Sequence, residues 1–150
     1  MKTLGAAKHF LLAFLLALAG YALFYAGLQH LRTRRGPWQV TFTNTLAGAA
    51  SMVIDQPRLG ITSVQVNFVD QPLALSNSAG RWVFAEPRAV PHEVPFGKCL
   101  FMDTTFLPGT VAFQLFGHEI ELLPRVLVID HQEQAWRSGA TFELRASTGK

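Results

Sequence analysis

Nineteen consecutive residues from Phe10 to Leu28, FLLAFLLALAGYALFYAGL, contain no charge, no side-chain amide and no proline. A helix of that length is roughly 28 Å long, close to the ~30 Å hydrocarbon thickness of a bilayer. No water is present in hydrocarbon to satisfy backbone N–H and C=O groups, so a segment placed there has to be helical. The run divides the chain into a basic tail (1–9), a membrane-spanning helix (10–29), a basic juxtamembrane linker (30–37) and a domain (38–150) that must build its own core.

Charge follows the same division. The first 35 residues hold Lys2, Lys8, Arg32, Arg34 and Arg35 and no acid, whereas the remainder holds eight basic and ten acidic side chains. The overall +3 is therefore a property of the flanks of the apolar run. There Arg32, Arg34 and Arg35 are placed to contact lipid headgroups. No Lys/Arg stripe marks the rest, which argues against nucleic acid as a partner. The single cysteine, Cys99, rules out an intramolecular disulfide.

Ala17-Leu18-Ala19 fits an A-x-A signal-peptidase site. Cleavage there would leave the greasy end GYALFYAGL, and Arg32 to Arg35 reads as a stop-transfer boundary. An uncleaved single-pass anchor is the expectation. Positive charge is nearly balanced across the span and slightly favours a cytoplasmic domain. The short basic tail before an apolar run is nevertheless the usual signal-anchor arrangement, so the domain is expected on the extracytoplasmic, periplasmic side. Ala6, Ala13, Gly20 and Gly27 recur every seven residues. Such a stripe lets a second helix approach closely, and Ala13, Gly20 and Gly27 are its helix-packing candidates.

Beyond the linker the hydrophobic period changes to two. Trp38, Val40 and Phe42 alternate with Gln39, Thr41 and Thr43, and Val64-Gln65-Val66-Asn67-Phe68 repeats the pattern. Ile61 is out of phase with that second run, which predicts a bulge near Thr62 or Ser63. Further strands are predicted over 51–55, 81–85, 98–103, 110–116, 118–122, 125–130 and 141–145. The continuous run Val126-Leu127-Val128-Ile129 reads as a central strand covered on both faces. Turn chemistry separates the strands: Ser76-Asn77-Ser78-Ala79-Gly80, Pro108-Gly109 as a type II turn, Phe116-Gly117-His118 as a tight hairpin. The fold class is mainly β, an antiparallel sandwich of about eight strands, Ig-like or jelly-roll-like, preceded by one transmembrane helix.

The segment 86–97 carries three prolines four residues apart, which suits an extended crossover between sheets. It also offers Val90, Val94 and Phe96 as a candidate partner-docking loop.

No constellation identifies a reaction. His92, His118 and His131 lack the close spacing of metal ligands, although each adjoins a carboxylate (Glu93, Glu119, Asp130). Cys99 and Met102 have Leu100 and Phe101 between them where a blue-copper loop needs a histidine. Glu119 and Glu121 share a strand face and read as its solvated side. Catalytic residues, metal ligands and cofactors are not expected. The reading these features favour is a membrane-anchored, non-catalytic module. Its partners are the bilayer and other membrane or envelope proteins, with a larger complex as the thing it docks on. A tethered metal- or small-ligand-binding domain of metallochaperone type is the alternative, and a tethered hydrolase a third reading.

Overall fold

The computed structural model describes residues 3–72 and 79–146, and it separates into two compact units, Met1–Arg34 and Arg35–Lys150. Lys2 and the Ser76-Asn77-Ser78 part of the predicted turn lie outside the described residues.

In the first unit, α1 spans Thr3–Thr33 and so exceeds the predicted 10–29 at both ends. Ala6, Ala7 and Leu31 are good helix formers, and no proline intervenes before Pro37. Gly36, in the left-handed region at φ +71, and Pro37 then prevent continuation. The described part of the tail and the first half of the linker are thus helical. Gly5–Thr33 is long and apolar enough to cross a membrane. From Gly5 to Leu28 every side chain is exposed, and apolar residues lie all round the helix.

The second unit is a sandwich of two sheets. The first contains β1 (Trp38–Asn44), β2 (Ala49–Gln56), β3 (Ile61–Pro72), β4 (Gly80–Phe84) and β11 (Thr141–Leu144), in the order β11-β3-β2-β1-β4. Because β4 pairs with β1, the first four strands form a Greek key. The second sheet is an unbroken meander of β5 (His92–Val94), β6 (Gly97–Asp103), β7 (Thr110–Leu115), β8 (His118–Leu122), β9 (Val126–Ile129) and β10 (Gln132–Ala135). Residues 85–91 cross from one sheet to the other, as the proline spacing predicts.

Period-two alternation sets the core. Trp38, Val40 and Phe42 are fully buried, as are Val64 and Val66, against Phe113, Leu115, Ile120 and Leu122 of the other sheet. The predicted bulge is present. Ile54 pairs with Val64 and Gln56 with Ile61, so Thr62 and Ser63 together oppose Asp55. Ser63 takes φ +53 there, and its N–H donates to the Asp55 carboxylate over 2.8 Å. The tight hairpin at Phe116-Gly117 is also as read, with both residues at positive φ (+49 and +84) in the manner of a type I′ turn.

Other expectations need correction. The sandwich is not wholly antiparallel, since β11 lies parallel to β3. A hairpin forces reversal, but β11 is reached by crossing between sheets, which removes that constraint. Eleven strands are present among the described residues. The unpredicted β5 and β10 are edge strands of three and four residues. β5 lies in proline-rich sequence, and β10 (Gln-Glu-Gln-Ala) has no apolar alternation. β9 is not a central strand covered on both faces. Only β10 lies outside it, and its Val126 and Val128 are half-buried. The turn residues are Leu107 and Pro108, one position earlier than in the predicted Pro108-Gly109 type II turn. Glycine is required at 109 in any case: φ is +67, and a Cβ would collide with the Asp103 carbonyl.

Candidate functional site

Of the docking-loop candidates, Val90 is exposed, but Val94 is buried and Phe96 is half-buried against the core. Val94 is the inward residue of β5, and Phe96 turns inward at φ +74. Its ring centroid lies 5.4 Å from those of Phe42 and Phe116. Neither Val94 nor Phe96 is presented to a partner. The large apolar side chains that are exposed in this region are Leu100, Phe101 and Phe106. A register shift between Cys99 and Phe101 places Phe101 opposite Ala112, on the outer face of the six-stranded sheet. Across that face, Ala112 is followed by Glu121, Val128 and Glu133 on successive strands. The sequence signal was available: Cys99-Leu100-Phe101-Met102 is continuously apolar in a strand with one buried face.

On α1, Ala13, Gly20 and Gly27 are exposed, and a Cβ at Gly20 or Gly27 would meet open space. Arg34 and Arg35 are exposed and Arg32 is half-buried. Arg35 has a further role through its carbonyl. Gln56 is fully buried, and its Nε2 donates to the carbonyls of Arg35, Gly36 and Pro37 at 3.0, 2.8 and 3.1 Å. Its Oε1 accepts the Arg58 N–H at 3.0 Å. One amide thus pins the backbone just ahead of β1.

Cys99 is buried, its Sγ faces the Phe101 carbonyl at 3.5 Å, and burial pushes its thiol up to about 11. A thiol held protonated is a small hydrophobe rather than a nucleophile. His92 lies opposite Cys99 on β5. Its Nδ1 meets the Ala89 carbonyl at 3.1 Å, and its buried Nε2 has no hydrogen bond among the described residues.

The other two histidines exchange the carboxylates that adjoin them in sequence. Asp130 and His131 form a two-residue turn between β9 and β10, both at positive φ (+48 and +65). That turn carries Asp130 back over β8. His118 Nδ1 meets Asp130 Oδ2 at 2.7 Å, and Asp130 Oδ1 accepts the Glu119 N–H at 3.0 Å. His131 approaches Glu119 at 3.6 Å. His118 is buried, and its Nε2 meets the Arg145 carbonyl at 2.8 Å. Glu119 and Glu121 lie on the outward side of β8, half-buried. Among the described residues no group of three or more His, Cys, Asp or Glu side chains is placed to hold a metal ion.

An open groove of about 220 Å³ runs between β9, β10 and β11, lined by Ile129, Asp130, Gln134, Phe142, Glu143 and Leu144 among others. Its lining combines the apolar side chains of Ile129, Phe142 and Leu144 with the amides of Gln132 and Gln134 and the carboxylates of Asp130 and Glu143. No protein-family model matches this chain, no curated protein matches it, and no solved structure matches it.

Proposed function

We propose that this chain is a single-pass membrane-anchored, non-catalytic β-sandwich, an accessory or structural subunit that docks on a larger membrane or envelope protein complex. The sandwich works on the extracytoplasmic side, and lipid is the solvent of α1. The observation that supports this reading is the Gly5–Thr33 stretch, long and apolar enough to cross a bilayer as a helix. Anchoring confines the sandwich to a thin layer beside other membrane proteins, which raises effective concentration so that a small contact suffices. The outer face bearing Phe101, with Leu100 beside it, supplies an apolar contact rimmed by Glu121 and Glu133.

Native electrophoresis of detergent-solubilised membranes tests the docking. The chain should migrate in an assembly larger than itself, and Phe101→Asp should release it while Gln114→Asp on the same face does not. Carbonate extraction and protease access to a C-terminal tag in spheroplasts test the anchor and its orientation. Recovery of the full chain in the aqueous fraction would end the anchored reading.

A further inference from the structure

The C-terminal strand is tied down in an unusual way. β11 is a four-residue edge strand whose parallel ladder runs to Gln65–Phe68 of β3. Two polar contacts fasten the chain just after it. His118 Nε2 meets the Arg145 carbonyl at 2.8 Å, and the Ala146 N–H donates to Asp70 Oδ2 at 3.2 Å. His118 belongs to the six-stranded sheet and β11 to the five-stranded one, so the first contact bridges the two layers at the mouth of the groove.

The chemistry of that bridge is constrained by counting donors. A neutral imidazole has one N–H and one lone pair, while an imidazolium has two N–H groups. Both partners of His118 are acceptors: an ionised carboxylate at Nδ1 and a main-chain carbonyl at Nε2. Only the doubly protonated ring donates to both. When it loses a proton, the one that remains stays on Nδ1, because the carboxylate is the stronger, charge-assisted acceptor. The Nε2 lone pair then faces the Arg145 carbonyl oxygen, and an attractive contact becomes a repulsive one.

We infer that His118 and Asp130 form a proton-operated latch on β11: the doubly protonated ring holds the strand end, and loss of one proton releases it. The charged groups around the ring fit this sense. Asp130 is in direct contact, Glu143 lines the same groove, and Asp70 holds the next residue along. From β3 only the Phe68 ring packs on His118, at 6.2 Å between centroids. Glu119 is the outward neighbour on β8, where His131 approaches it. Release would uncover the β3 edge at Gln65–Phe68. The latch holds while the ring carries both protons and slackens once one is lost.

The test uses the full chain in detergent micelles. Histidine ¹⁵N shifts follow the protonation of His118, and amide exchange over 141–146, corrected for intrinsic rates, follows β11. Protection should fall about fivefold, the value of one net hydrogen bond, with the midpoint of the ring titration. Asp130→Asn separates a latch from a merely structural pair. Asparagine keeps an oxygen for the Glu119 N–H and offers an N–H₂ to Nδ1. The neutral ring can then donate from Nε2 to Arg145, and protection should no longer fall when the ring is neutral. Protection that is flat across the wild-type titration, or an Asp130→Asn variant that slackens just as the wild type does, would overturn the inference.

Discussion

Phe14 in α1 and Phe42 in β1 are the same side chain in opposite circumstances. Phe14 is 65% exposed, with its neighbours on the helix exposed as well, while Phe42 is fully buried. Phe42 makes edge-on contacts with Trp82, Phe96 and Phe113 at ring separations of 6.4, 5.4 and 6.3 Å. The sandwich removes its aromatics from water by alternating them with Thr, Gln and Asn and closing two sheets over them. α1 has no such alternation, and its apolar side chains lie all round the helix. The difference shows that hydrophobic content alone does not say how a segment is covered, whereas its period does.

Cutting the chain between the two units is the most severe way to break this comparison. Residues 35–150 alone should stay in aqueous buffer and give a β-type circular dichroism spectrum with a cooperative melt, whereas the full chain should require detergent. A truncated protein that also requires detergent would show that the sandwich is not self-sufficient. Matched substitutions sharpen the contrast. Phe42→Ala removes a core ring and should destabilise the sandwich by about 3–5 kcal/mol in urea titrations. Phe14→Ala should leave the same transition unmoved.

The two units also differ in how legible they were. The long apolar helix and the strands of the core could be read directly, because burial on one face imposes period two and an unbroken apolar run is visible without any period. β10 left no such trace: as an edge strand it packs little, and its Gln132, Glu133 and Gln134 are compatible with a loop. The same edge explains the error at β9, whose Val126 and Val128 point outward without being covered. The His118–Asp130 contact was hidden for another reason. Adjacency in sequence associates Asp130 with His131, and only the Asp130-His131 turn with register Ile120↔Ile129 returns Asp130 to β8. Aspartate tolerates the left-handed conformation, so Asp-His between Val-Leu-Val-Ile and Gln-Glu-Gln was the available cue. Gln56 gave none, since nothing local distinguishes a buried amide from a solvated one at a strand end.

The start of the sandwich offers a perturbation of intermediate size. Gln56→Leu keeps the volume but leaves the carbonyls of Arg35, Gly36 and Pro37 and the Arg58 N–H without their partner. The expected cost is about 2–3 kcal/mol in urea unfolding of the 35–150 unit, below the full penalty because carbonyls near the surface can turn to water. Gln56→Glu should be worse at neutral pH, because a carboxylate offers these carbonyls no donor and repels them. It should recover partly on acidification, when the protonated acid regains one O–H. If both variants unfold at the wild-type midpoint, the amide is not what fixes the beginning of the domain.

The smallest effect expected lies at Cys99 and is visible only at alkaline pH. Its thiol is raised from 9.0 to about 11 by burial, offset in part by a backbone hydrogen bond with Phe101. The fold therefore favours the protonated form. Its contribution is complete below pH 9.0 and is lost as pH rises toward and through about 11. Both tyrosines, Tyr21 and Tyr25, are in α1. In the 35–150 unit, subtraction against Cys99→Ala isolates the thiol. The urea midpoint of the wild-type unit should fall faster above pH 9 than that of the alanine variant, which gives up a little packing at every pH. Iodoacetamide at pH 8 should modify the unfolded unit quickly and the folded unit only at its rate of opening. Rapid labelling of the folded unit would show that Cys99 is open to solvent as a thiolate, and the inert-core reading of β6 would have to be abandoned.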